Sequence, residues 1–193
     1  SLIWKPEIEH VAERLGVARG WHRSFCFRIE RFRGTPEYPG LMMALDRGGQ
    51  CSGVLFELPS VDLRTQLGKL FRREFTYKPA NSVPRWITVD TTSGPIKALA
   101  FVMNRSSPRY AGRLPLDEVA EILSNACGHW GSGAEYLLNT VSHLETFGIL
   151  SKDEVVAIRA SAEAEIAAGV EFAKGGTDPL PSEVTRDVYT VGG

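Results

Sequence analysis

The chain has 193 residues, 43% of them hydrophobic and 23% charged, the composition of an ordinary globular domain. Its 22 basic and 23 acidic residues leave a net charge of -1 and form no like-charge run, so neither nucleic acid nor an anionic membrane is an expected partner. No apolar stretch approaches the roughly 20 residues that span a bilayer, and Cys26, Cys51 and Cys127 are odd in number and too far apart for a zinc site, so they read as reduced core thiols of a cytoplasmic protein.

The sequence begins at Ser1 without an initiator methionine or a secretion-signal pattern, and its true beginning is expected upstream. Ser1, Leu2, Ile3 and Trp4 form a short apolar run ended by Lys5 and Pro6, a first buried strand. Residues 7–20 stay open between a helix lined by Ile8, Val11 and Leu15 and closed by Gly16, and a surface loop. From Trp21 the period is two: Phe25, Phe27 and Ile29 alternate with Ser24, Cys26 and Arg28, a strand with one aromatic face. After a Gly- and Pro-rich loop at 33–40, the apolar runs at 41–45 and 54–58 read as a hairpin turning at 46–50.

Residues 60–77 have helical spacing, with Leu63, Leu67, Leu70 and Phe71 on one face and Ser60 as cap. A second hairpin follows, residues 86–89 against 96–103. Beyond Ser106 the pattern is helical. Pro115 opens a helix whose inner face is Val119, Ile122, Leu123 and Ala126, and Ser132 with Glu135 form a capping-box spacing before Leu137, Val141 and Leu144. A third helix over 152–174 carries Val155, Val156, Ile158, Ala162, Ile166 and Val170, expected to pack on the domain; the remainder is linker and tail. Strands first and helices last predict an α+β fold with antiparallel or mixed pairing, residues 1–150 forming the main domain and 151–193 extending it.

Glu74 continues the apolar stripe of the 60–77 helix, so its carboxylate points where a leucine is expected, near a helix C-terminus whose dipole disfavours an anion. Both effects raise a carboxylate's pKa toward the range a proton-shuttling acid or base needs. The competing interpretation is a surface carboxylate paired with Arg72, Arg73 or Lys78.

Other candidates are weaker. Residues 128–133, Gly-His-Trp-Gly-Ser-Gly, lack the Lys-Ser/Thr ending of a phosphate loop and the glycine spacing of a nucleophile elbow, and read as a turn between helices. Cys127 and His129 are two apart and so face different ways on a helix, and no two histidines fall three or four apart for a helical metal pair. Tyr110 and Tyr136 can offer hydroxyls to a site or serve as buried tyrosines with one hydrogen bond.

Six segments carry a resemblance. Ser1-Leu2-Ile3-Trp4-Lys5-Pro6, His22-Arg23-x-Phe25, Arg33-Gly34-Thr35-Pro36-Glu37-x-Pro39-Gly40, Arg73-Glu74, Ser107-Pro108-x-Tyr110-Ala111-Gly112 and Ala134-Glu135-Tyr136-Leu137-x-Asn139-Thr140-Val141 are similar in order and spacing to the ChaC-like γ-glutamylcyclotransferases. The similarity runs from Ser1 to about Asp153. It implies an enzyme that cyclises the γ-glutamyl group of glutathione and releases 5-oxoproline and cysteinylglycine, with no metal and no organic cofactor. It also implies a small mixed sheet, strongly curved or closed like a barrel, with flanking helices.

The family's catalytic glutamate corresponds to Glu74, and Ser1-Leu2 correspond to the second half of a Tyr-Gly-Ser-Leu turn that cradles the γ-glutamyl group. Ser1, Leu2, Ile3, Trp4, Arg33, Gly34, Tyr110 and Tyr136 are the implied substrate-binding residues. The expected partner is a small molecule, glutathione or another γ-glutamyl peptide, and the chain is expected to act as a monomer. Alternatives are a cyclotransferase for other γ-glutamyl amines or amino acids, a non-catalytic γ-glutamyl-binding protein, and an interaction role for the C-terminal extension.

Overall fold

The structure, a computed structural model, describes residues 7–76 and 78–175. The strand expected at Ser1, Leu2, Ile3 and Trp4 lies outside the described residues, as does the tail from residue 176. The chain divides into two units, residues 1–150 and 151–193.

In the first unit β1 (Ala12–Ile29) and β2 (Gly40–Glu57) form one long antiparallel ribbon, in register from Ala12 opposite Glu57 to Ile29 opposite Gly40. Two expectations change here. From Ala12 onward the stretch taken as helix or loop is the first half of β1, because its backbone has a partner strand to pair with along its length. The proposed turn at 46–50 is the middle of β2: Gly20 of β1 faces Gly48 and Gly49 of β2, with φ values of 79°, 109° and 61°, and the three glycines form a bulge. The His22 ring reaches Gly48 O at 2.9 Å and ties the bulge down. A second register shift between Phe25 and Phe27 turns Cys26 inward, where it is fully buried.

β3 (Ser82–Thr91) and β4 (Gly94–Met103) make the expected second hairpin. β3 joins the ribbon through Val17 opposite Asp90 and Ala18 opposite Val89, giving the order β2-β1-β3-β4 with every pairing antiparallel. The sheet is curved and open rather than closed. Its two edge strands approach each other, and Leu45 and Leu55 of β2 pack with Ala98 and Ala100 of β4 around Ala18, Ile87 and Val89. Full burial of a side chain such as Ile87 or Val89 contributes about 1.5–3 kcal/mol, and the alanine methyls and partly buried leucines contribute less each, which together hold the sheet bent.

α1 (Leu63–Glu74) connects β2 to β3. After β4 come α2 (Leu116–Asn125), a small hairpin of β5 (Cys127–Gly128) and β6 (Gly131–Ser132), and α3 (Gly133–Thr146). Ser132 caps α3, its hydroxyl accepting from Glu135 N at 3.1 Å, so the glycine-rich stretch is a turn between helices. Cys127 opens that hairpin and is exposed, and Cys51 is half-buried; only Cys26 of the three is the core thiol expected of all of them.

The second unit is described as α4 (Lys152–Lys174), started by a reciprocal pair in which Ser151 N donates to Glu154 Oε2 at 2.8 Å and Glu154 N donates to Ser151 Oγ at 3.1 Å. Val156, Ile158, Ile166, Val170 and Phe172 of this helix are exposed. Among the described residues no helix is long and apolar enough to cross a membrane.

Candidate active site

The inward stripe of α1 is turned from the one periodicity suggests. Leu63 and Phe71 are exposed, whereas Gln66 and Leu70 are buried, and Glu74 follows them at steps of four on the same face. Gln66 replaces a leucine without penalty because its amide is satisfied: Oε1 accepts from Glu9 N and Nε2 donates to Asp62 Oδ2, both at 3.1 Å. Nothing in its residue type distinguishes it from a surface glutamine, so periodicity passes over it. Asp62, not Ser60, is the N-cap residue, and its carboxylate bonds Gln66 instead of a backbone N–H.

The last turn of α1 is seated on β4 by Phe71, Phe75 and Phe101, whose ring centroids lie 5.4–6.0 Å apart, and Ser82 Oγ donates to the Glu74 carbonyl oxygen at 3.4 Å. The Glu74 side chain is therefore only 17% exposed. Burial raises its pKa above the ordinary carboxylate value, and the Arg73 guanidinium, with Nε 3.7 Å from Oε1, offsets part of that rise. A carboxylate so placed takes up and returns a proton closer to neutral pH than a surface glutamate does. Both readings of the sequence meet here: the carboxylate is desolvated and it has an arginine neighbour.

The other implied residues fall into two groups. Arg33 is 7% exposed, donating to Ser132 O at 2.8 Å and to Glu135 Oε2 at 3.4 Å, and its guanidinium lies 5.6 Å from the Tyr136 ring centroid. Gly34 beside it sits where a Cβ would stand 2.6 Å from Ile29 O, so only glycine lets this loop close against β1. Tyr136 is buried, which raises its pKa, and Phe25 meets its ring edge-on. Arg33, Gly34 and Tyr136 thus form one cluster between the 33–40 loop and α3.

Tyr110 belongs elsewhere. Its hydroxyl donates to Asp46 Oδ2 at 2.9 Å, and the same carboxylate accepts from Arg105 Nε and from Arg47 N, both at 2.8 Å. Asp46 was not singled out from sequence because it looks like a turn residue. Burial alone would raise its pKa, yet the Arg105, Arg47 and Tyr110 donors hold it below the ordinary value. The Glu74 side chain meets Arg73 and makes no hydrogen bond or ion pair to Arg33, Tyr110 or Tyr136. Ser1, Leu2, Ile3 and Trp4 lie outside the described residues.

Comparison with known proteins agrees with the fold and the motifs. The chain is 33% identical over 150 residues to the glutathione-specific γ-glutamylcyclotransferase of Escherichia coli (strain K12), covering 77% of this chain and 64% of that protein. It is 30% identical over 161 residues to glutathione-specific γ-glutamylcyclotransferase 1 of Mus musculus, covering 80% and 70%. The crystal structure of a yeast γ-glutamyl cyclotransferase specific to glutathione superposes with a TM-score of 0.68 at 18% identity, over 79% of this chain and 86% of that one. The signature of the family described as ChaC-like protein matches residues 1–162, and the chain belongs to that family.

Proposed function

We propose that this chain is a γ-glutamylcyclotransferase acting on glutathione, with Glu74 as its general acid and base. The observation that carries the proposal is the desolvated Glu74 carboxylate on the inward face of α1, at the position the family resemblance assigns to the catalytic group. Relatives named for this reaction support the choice of glutathione.

The chemistry needs one such group. Glu74 removes a proton from the substrate's α-amine, and the amine nitrogen attacks the γ-carbonyl carbon of the same residue. The bond from that carbon to the cysteine nitrogen then breaks, and the departing nitrogen takes the proton back from Glu74. The products are 5-oxoproline and cysteinylglycine. A positioned base of this kind contributes roughly 10²- to 10⁴-fold. The attack is intramolecular, so holding the γ-glutamyl chain curled, with amine and carbonyl about 3–3.5 Å apart, adds to this without a second reactant to orient.

In this proposal Ser1, Leu2, Ile3 and Trp4 cradle the γ-glutamyl group, while Arg33, Gly34 and Tyr136 brace the wall of the site through α3. Residues 1–150 are the catalytic domain and 151–193 its extension, and the protein works in the cytoplasm, where unpaired thiols such as Cys26 stay reduced. The test is 5-oxoproline release from a panel of glutathione, γ-glutamyl amino acids and γ-glutamyl amines. Turnover of glutathione above the others is expected. Binding without 5-oxoproline would make the protein a γ-glutamyl-binding module, and preference for an amine would move it to the alternative substrate class.

A further inference from the structure

Among the described residues the Glu74 carboxylate accepts no hydrogen bond, and the cation beside it stands just out of reach: Arg73 Nε is 3.7 Å from Oε1. An N–H···O bond extends to about 3.2 Å. The far end of the same guanidinium is engaged elsewhere, with Nη1 3.4 Å from Glu7 Oε2. Consecutive residues of a helix do not face each other, so the place of the Arg73 guanidinium is set from outside α1, and Glu7 supplies one of the groups that set it. Glu7 is itself held in position. Its φ of 54° lies in the left-handed region that a glutamate seldom takes and that persists only where the surroundings impose it. Two residues on, Glu9 N donates to Oε1 of the fully buried Gln66 at 3.1 Å, which fastens the segment before β1 to the inward face of α1. That segment therefore touches α1 at Gln66 and at Arg73, about two helical turns apart.

We propose that Glu7 is a positioning residue for the proton transfers: by holding Arg73 from the opposite side it keeps Glu74 out of a closed ion pair and leaves the carboxylate lone pairs open to the substrate amine. The inference rests on the cyclotransferase reading and adds to it a residue outside α1 that governs the base. A hydrogen-bonded arginine–carboxylate pair would occupy an Oε lone pair and favour the anion, and both effects weaken Glu74 as a base. With no arginine at all, the buried anion would go uncompensated. Shared between two carboxylates, the guanidinium gives Glu74 part of its charge and no hydrogen bond. The other groups around Glu74 do not take this role. The chain's α-amino group acts on it in the same sense as Arg73 and less strongly, the Phe71, Phe75 and Phe101 rings that seat this turn carry no charge, and Ser82 bonds the main-chain carbonyl oxygen rather than the carboxylate.

The experiment is a double-mutant cycle of Glu7→Gln and Arg73→Gln, read as the pH profile of kcat/KM for glutathione. The Glu7 side chain is 51% exposed and glutamine keeps its shape, so the variant is expected to fold. Glu7→Gln releases Arg73 to Glu74 and should move the acidic limb to lower pH, with a lower kcat and little change in KM. In the Arg73→Gln background the same substitution should leave the limb where it is. A limb that stays in place or rises in Glu7→Gln would overturn the assignment, and a lowered rate with an unmoved limb would reduce Glu7 to a brace of the fold. An equal movement in both backgrounds would overturn it too, since Glu7 would then act through its own charge and not through Arg73. The same cycle is read without turnover by the ¹³C shift of the Glu74 side-chain carboxyl, assigned by its loss in Glu74→Gln. Absence of 5-oxoproline would thus count against the cyclotransferase reading, while the carboxyl titration still decides the role of Glu7.

Discussion

Arg73 stands beside Glu74 in the last turn of α1, its Nε 3.7 Å from Oε1, and the two side chains are 22% and 17% exposed. Burial disfavours the Glu74 anion and the guanidinium favours it, and burial wins, so the carboxyl binds its proton more tightly than a free glutamate. Arg73 also reaches Glu7 at 3.4 Å, which keeps it from compensating Glu74 alone.

Glu74→Gln is expected to remove turnover of glutathione while leaving the fold unchanged, because the amide keeps the shape but accepts no proton. The expected loss is at least 10²-fold, within the range of a positioned base. A loss under about tenfold in 5-oxoproline release would assign the proton transfers to another group.

The same substitution should stabilise the protein in a pH-dependent way. A carboxyl whose folded pKa is raised favours folding below the unfolded value, near 4.5, and loses that contribution as pH rises through the folded pKa. Glutamine has no such penalty, so the variant's melting temperature should gain on wild type as pH increases from about 4.5. A constant difference across that window would mean that Glu74 is not desolvated.

The pH dependence of the rate gives a separate reading. The acidic limb of kcat/KM should lie above the ordinary glutamate value near 4.5, since it reports the free enzyme's essential base. Arg73→Gln removes the cation that lowers Glu74, so the limb should move to higher pH. A limb that moves down, or stays in place, would show that Arg73 does not act on the catalytic carboxylate.

Sequence alone reached α1, the second hairpin and the cap at Ser132, because each is decided by residues within one or two turns of each other. Glu74 was legible for the same reason: a carboxylate at a step of four from Leu70 declares its face. The β1–β2 ribbon was not. Its length depends on partners that lie between 11 (Ile29 to Gly40) and 45 (Ala12 to Glu57) residues away, and Gly48 and Gly49 carry the same local signal in a bulge as in a turn. Gln66 and Asp46 were missed because burial of a polar group depends on donors and acceptors supplied by Glu9, Arg105 and Tyr110, which composition does not reveal. The Arg33 cluster shows the same limit, since Ser132 and Glu135 meet Arg33 only after α3 has docked.

Asp46→Asn tests the second buried carboxylate. Its depressed pKa means that the ionised form stabilises the fold above the unfolded value near 3.8 and loses that contribution as pH falls through the folded pKa. The variant should therefore lose about 1–3 kcal/mol at neutral pH, the range for a buried group left with mismatched partners. The deficit should shrink as the pH drops below 3.8. Tyr110→Phe removes one of the three donors and should show a smaller part of the same effect in urea unfolding. A deficit that does not vary with pH would indicate lost packing instead of lost charge pairing.

The last prediction separates residues 151–193 from the chemistry. Every buried core residue described, from Ala18 to Tyr136, belongs to the first unit, and so does Glu74. In α4 the apolar residues Ile158, Ile166 and Phe172 are 63%, 68% and 87% exposed, so the helix relies on its Ser151–Glu154 cap and its alanines more than on a buried face. A chain ending at Lys174 is expected to cyclise glutathione within a few-fold of the full length, about 1 kcal/mol of transition-state free energy or less. A chain ending at Leu150 should still melt cooperatively, with a small loss of melting temperature. If the chain ending at Lys174 stays folded by circular dichroism yet loses activity a hundredfold, the tail takes part in the site and the division at residue 150 does not describe the enzyme.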